Sequence, residues 1–158
     1  MLDHVSIGIR ELERGRRFYD AALRPLGIVR TLDFEHRGSD YGTMAGQLGV
    51  EFTITLEAGG GSPARGMHIC FRAHDRGAVR AFHAAAIAAG GSDDGAPGPR
   101  PIYHRDYYAA FVIDPDRDRI EAVCHAPMAP DLTAMTLATV PPGIELAESV
   151  QVAPSSSL

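Results

Sequence analysis

Hydrophobic and polar residues alternate from the start of the chain. In LDHVSIGI, Leu2 to Ile9, the apolar Val5, Ile7 and Ile9 share one face, and His4, Ser6 and Gly8 share the other. A period of two predicts a strand with one buried face, over about Leu2–Arg10. The period then lengthens. Leu12, Phe18, Tyr19, Ala22 and Leu23 fall on one stripe of a helix over Leu12–Leu23, which Pro25 and Gly27 end. Strand-like runs follow at Ile28–Glu35, Tyr41–Ala45 and Val50–Glu57.

The same order returns 64 residues later. HVSIGIRELERGRRFYDAALRPLG, from His4, falls without a gap on HICFRAHDRGAVRAFHAAAIAAGG, from His68. Six of the 24 pairs are identical, among them His4 with His68, Arg16 with Arg80, Phe18 with Phe82 and Gly27 with Gly91. The second copy predicts a strand over Met67–His74 and a helix over Arg76–Ala89, with Asp75 as N-cap and Gly90-Gly91 as its stop. A turn-rich stretch, Ser92–Pro101, comes next, and then strands at Ile102–His104, Tyr108–Ile113 and Arg119–His125. The order is βαβββ twice, an α+β fold of two modules at 2–58 and 67–126. GGGSPARG (59–66) links them, and a Pro-rich extension, 127–158, has no counterpart in the first half.

Composition narrows the classes of function. The 158 residues suffice for one ordinary domain or two small modules sharing a core. A net charge of −5, with both signs mixed along the chain, argues against a nucleic-acid or anionic-membrane partner. No apolar run is long enough to span a bilayer, and no secretory leader precedes the first strand. Two cysteines, Cys70 and Cys124, fit a reduced cytoplasmic protein rather than a disulfide framework.

Strand parity gathers the candidate chemistry. His4 and its repeat His68 both face away from the side on which the helix stripes must pack. In RIEAVCH, the last strand, Glu121 takes the same inward parity with Val123 and His125. An inward carboxylate in an apolar strand needs a cation or strong donors. Two imidazoles and one carboxylate suit a divalent ion with open positions, Fe, Mn, Zn or Ni. Each histidine alone reads more readily as a hydrogen-bonded structural residue than as a ligand, and Glu121 could pair instead with Arg72 or Arg119. Glu57 shares parity with Glu51, Thr53 and Thr55, and the 64-residue shift sets it on Glu121 as a fourth-ligand candidate. In PIYHRDYY, Pro101 to Tyr108, His104 and Tyr108 are candidate acid/base residues, with Tyr103 and Tyr107 beside them. The plainer reading there is aromatic packing and a surface histidine. Arg72 could receive an anionic substrate or neutralise Glu121.

LDHVSIGIRELERGRRFYDAAL, GMHICFRAHDRGAVRAFHAAAIAAGG and YYAAFVIDPDRDRIEAVCH resemble the vicinal oxygen chelate superfamily. That group includes glyoxalase I, bleomycin and fosfomycin resistance proteins, and extradiol dioxygenases. The resemblance spans Leu2 to Pro127. It implies two βαβββ modules forming an open, barrel-like mixed sheet with helices outside, around a divalent metal ion. His4, His68 and Glu121 match its ligand positions. The resemblance further implies a metal-dependent lyase or isomerase of glyoxalase type, or an extradiol-type dioxygenase, whose small substrate chelates the metal through adjacent oxygens. It equally includes proteins that bind a small molecule without turnover, as bleomycin resistance proteins do. A homodimer is implied by the resemblance alone. Two departures stand out. Arg117 in DPDRD, Asp114 to Asp118, replaces the glycine of the usual turn. The acid of the first module's last strand aligns with Thr53 or Thr55 as well as with Glu57.

Overall fold

The computed structural model describes residues 3–43, 51–57 and 66–127. The first repeat forms β1 (Val5–Ile9), α1 (Leu12–Leu23), a 3₁₀ turn (Arg24–Leu26), β2 (Ile28–Phe34), β3 (Gly38–Thr43) and β4 (Phe52–Leu56). The second forms β5 (Ile69–Arg72), α2 (Arg76–Ala88), β6 (Ser92–Pro99), β7 (Tyr108–Ile113) and β8 (Arg119–Cys124). Both helices begin where a carboxylate satisfies their free amides. Glu11 accepts from the backbone N–H groups of Glu13 and Arg14, and Asp75 accepts from that of Ala78 at 2.7 Å. The two caps occupy equivalent places in the repeat. Gly90 turns the chain out of α2 at φ +102°, in the left-handed region.

One strand differs from its sequence reading. Ser92–Pro99, SDDGAPGP, is a strand rather than a turn-rich stretch. It pairs antiparallel with β7 and slips register on both sides of Gly95. As an edge strand it tolerates its two prolines, which a central strand would not. Ile102–His104 is not a strand and belongs to the turn between β6 and β7. The 59–66 linker, apart from Gly66, and the 127–158 extension, apart from Pro127, lie outside the described residues.

The eight strands form two mixed four-stranded sheets, β1-β4-β3-β2 and β5-β8-β7-β6, rather than a closed barrel. In each, the first strand runs parallel to the last and forms one edge. The helix-facing residues of both sheets and both helices merge into a single core. Phe18, Tyr19, Phe52, Phe71, Val79, Phe82 and Ile120 belong to it, and Phe52 meets Phe71 edge-on at 5.3 Å. α1 and α2 touch within that core. The modules therefore share their helix sides, and both sheets turn their other faces outward.

The DPDRD turn fastens the second module to the first. Asp114 accepts the buried hydroxyl of Tyr19 at 2.7 Å, and Asp116 accepts from the Arg14 guanidinium at 2.7 Å and the Arg10 amide at 3.2 Å. Arg117 sits at φ +82°, the left-handed conformation for which glycine is suited. No helix of the described residues is long and apolar enough to cross a membrane.

Candidate functional site

Glu121 is the centre of the outward face of the second sheet. It stands in the middle of β8, beside Cys70 of β5 and Phe111 of β7. Only 1% of it is exposed. Such burial demands partners for the carboxylate, and it has them. Its Oε2 lies 3.1 Å from His68 Nε2, and its Oε1 accepts the Tyr107 hydroxyl at 2.7 Å. Burial, reinforced by Glu121, pushes the Cys70 thiol up to about 12. Burial and the same carboxylate raise the Tyr107 phenol as well. Both groups stay protonated at neutral pH, and Tyr107 donates to Glu121.

His68 and Glu121 thus come together, as strand parity predicts. His4 does not join them. It pairs with Asp3 at 2.8 Å, and among the described residues no three His, Cys, Asp or Glu side chains converge as a metal site. The reason is the shared helix core: the outward faces of the two sheets do not meet within one chain.

The acid/base candidates separate too. Tyr108 lies on the helix side of β7, against the main core and under the Arg76 guanidinium at 5.2 Å, on the opposite face from Glu121. Its neighbour Tyr107 holds the outward position instead. The sequence offered two adjacent tyrosines, and only the register of β7 separates them: Phe111 faces Glu121, and Ala109 and Tyr107 share its parity. His104 lies one step further out. Its Nε2 is 2.9 Å from His125 Nδ1, and both rings stand against Tyr107, at 5.4 and 5.1 Å.

Strand register also decides which residue of the first module corresponds to Glu121. Glu121 lies opposite Cys70, and the repeat partner of Cys70, Ser6, lies opposite Thr53. Thr53 is therefore the counterpart, not Glu57, whose side chain lies over Gly8 further along. Thr53 donates to the buried Asp40 at 2.6 Å, so the first module carries its acid one strand over, on β3. An apolar cleft of about 510 Å³ opens elsewhere, between Ile28, Phe52, Ile69 and Phe71, and includes neither His68 nor Glu121.

No family model and no curated protein sequence matches the chain. Solved structures do. A glyoxalase/bleomycin resistance protein from Albidiferax ferrireducens is 32% identical, over 80% of this chain and 99% of that one, with a TM-score of 0.66. The chain belongs to the glyoxalase/bleomycin resistance/dioxygenase family. A glyoxalase-family relative described as a putative glyoxalase, from Bacillus halodurans, is 25% identical, with a TM-score of 0.58 over 78% of this chain and 95% of that one. A fosfomycin resistance protein from Listeria monocytogenes shares the family fold at 14% identity, with a TM-score of 0.58 over 78% and 92%. The family is the vicinal oxygen chelate superfamily that the sequence resembles, with its α+β pair of modules.

Proposed function

We propose that this protein is a metal-dependent enzyme of the glyoxalase/dioxygenase type, acting on a small substrate that presents two adjacent oxygens. The observation that carries the reading is the His68–Glu121 pair. A carboxylate only 1% exposed sits with one oxygen 3.1 Å from an imidazole nitrogen. Two donors that close together could both hold one small divalent ion. His4 is the third ligand. Since it stands apart from the pair in its own chain, it comes from a second copy, whose first module faces this second module in a homodimer. Both β1 and β5 are edge strands with unpaired backbone groups, which such a pairing would satisfy. The metal would be Fe, Mn, Zn or Ni, and it supplies Lewis acidity toward the paired oxygens. Tyr107 keeps Glu121 oriented by donating to the oxygen turned away from His68. His104, with His125, is the acid/base group at the mouth, reached through Tyr107.

Metal content after supplementation tests this. Wild type should hold one ion per chain, and His68→Ala and Glu121→Gln should hold none while remaining folded. Absence of any ion in wild type under Fe, Mn, Zn and Ni sinks the reading.

One observation favours a second reading, a small-molecule binding protein without turnover. Tyr107 and His68 already satisfy Glu121 without an ion. Unchanged ligand binding in Glu121→Gln would select it.

A further inference from the structure

The outward face of the second sheet carries a charge that its own residues leave unanswered. A row crosses the four strands: Cys70 faces Glu121, Glu121 faces Phe111, and Phe111 faces Gly95. Neighbouring strands lie about 4.8 Å apart, so Gly95 is about 10 Å from Glu121. Phe111 fills the space between. Its ring meets His68 edge-on at 6.1 Å on one side. Two guanidinium groups approach it as well, Arg119 at 4.3 Å and Arg100 at 5.8 Å.

The two arginines differ in one respect. Arg119 is paired with Asp94. Arg100 has no carboxylate partner among the described residues. Its Nη1 donates to the Pro99 carbonyl at 3.2 Å and its Nη2 to the Ala96 carbonyl at 2.8 Å. The side chain packs over two residues of β6 that lack side chains of their own. A Cβ on Gly95 would stand 3.4 Å from Nη2 and 3.1 Å from the Phe111 ring, and one on Gly98 would stand 3.1 Å from Nη1. Arg100 is partly exposed, and its guanidinium is held by two neutral acceptors, with three of its five N–H groups unspent. A strand rich in glycine and proline is a poor strand, but here it makes the seat for a preorganised cation. The planar fork of that cation matches a carboxylate.

We propose that the ligand of this site carries a carboxylate on a tail that reaches past Phe111 from its paired oxygens, and that Arg100 receives it. The body of the ligand runs over Arg119, which covers the buried Phe111 ring. This rests on His68 and Glu121 being the place where the paired oxygens bind. Arg100 is then a specificity-determining residue: it selects an oxygen chelator with an anionic tail over a neutral one. A guanidinium that only staples β6 would leave that selection untouched.

Calorimetry on the zinc-loaded protein tests this with two compounds, 4-methylcatechol and 3,4-dihydroxyhydrocinnamate, which share the paired oxygens and differ in the carboxylate tail. Wild type should bind the second at least tenfold more tightly, with a preference that shrinks in high salt. Arg100→Gln keeps amide donors for the two carbonyls but has no charge. It should bind 4-methylcatechol as wild type does and lose the tenfold preference. Arg100→Lys should keep part of it. Equal affinity for the two compounds in wild type, or a preference that survives Arg100→Gln, overturns the inference. If neither dihydroxy compound binds, the chelation reading has failed, and hydrocinnamate on metal-free protein decides the carboxylate site alone. Binding that wild type shows and Arg100→Gln loses supports the site, and no binding overturns it.

Discussion

Arg117 holds a left-handed backbone conformation at φ +82°, with its side chain in solvent and without an ion-pair partner among the described residues. That conformation costs an L-residue about 1–2 kcal/mol, of which glycine's larger unfolded-state entropy takes back about half. Arg117→Gly should therefore stabilise the protein by about 0.5–1 kcal/mol, read as a melting-temperature rise of about 1–4 °C by scanning calorimetry. The substitution leaves the hydrogen bonds of the turn in place, because they use the Asp114 carboxylate and backbone groups, including the Arg117 N–H, that glycine keeps. This strain was legible in the sequence, since DPDRD puts arginine where the turn wants glycine. The separation of Tyr107 from Tyr108 was not. Two adjacent tyrosines before a strand carry no signal of which one faces in until the strand partner is known.

Among the elements, the DPDRD turn is a small electrostatic device as well as a fastener. Burial first, then repulsion from Asp114 and Asp116, pushes the Asp118 carboxyl up to about 6, with Arg10 opposing. Burial raises Asp114 as well. A carboxyl whose folded value lies above its unfolded one binds its proton more tightly in the folded state. Stability is then lost as pH rises from about 4 through about 6. Asp118→Asn should flatten that decline and gain under about 1 kcal/mol at pH 7, the figure being small because the group is half in solvent and screened. Urea denaturation at pH 4.5 and 7 measures both. The elements themselves differ in how openly the sequence announces them. The helices, with apolar stripes and carboxylate caps, are plain at the sequence level, and α1 matches its predicted bounds residue for residue. β6 is hidden, because SDDGAPGP reads as turns. It is a strand only because β7 pairs with its one available side and a bulge at Gly95 absorbs the irregularity.

At the scale of the molecule, the proposed set of three ligands would be complete only across two chains, which can be tested by complementation. Chains carrying His4→Ala and chains carrying His68→Ala should each bind no metal alone. Mixed and refolded together, they should form heterodimers with one intact site of two, seen as one ion per dimer by native mass spectrometry. If each site were built within a single chain, every site in the mixture would lack a ligand, and mixing would restore nothing. The repeat made the two histidines legible, but not their separation. Nothing in strand parity says whether two outward faces belong to one cup or to two.

The Asp40–Thr53 hydrogen bond limits how this architecture can change. The second module keeps a carboxylate opposite Cys70, whereas the first keeps a hydroxyl opposite Ser6 with an aspartate buried behind it. A glutamate at position 53 would meet Asp40 across the strand pair, two negative charges in a place that excludes water. The shortest mutational route to a four-ligand centre is therefore blocked unless Asp40 is replaced first. The duplicated halves have become unequal, and returning to symmetry takes two substitutions in a fixed order.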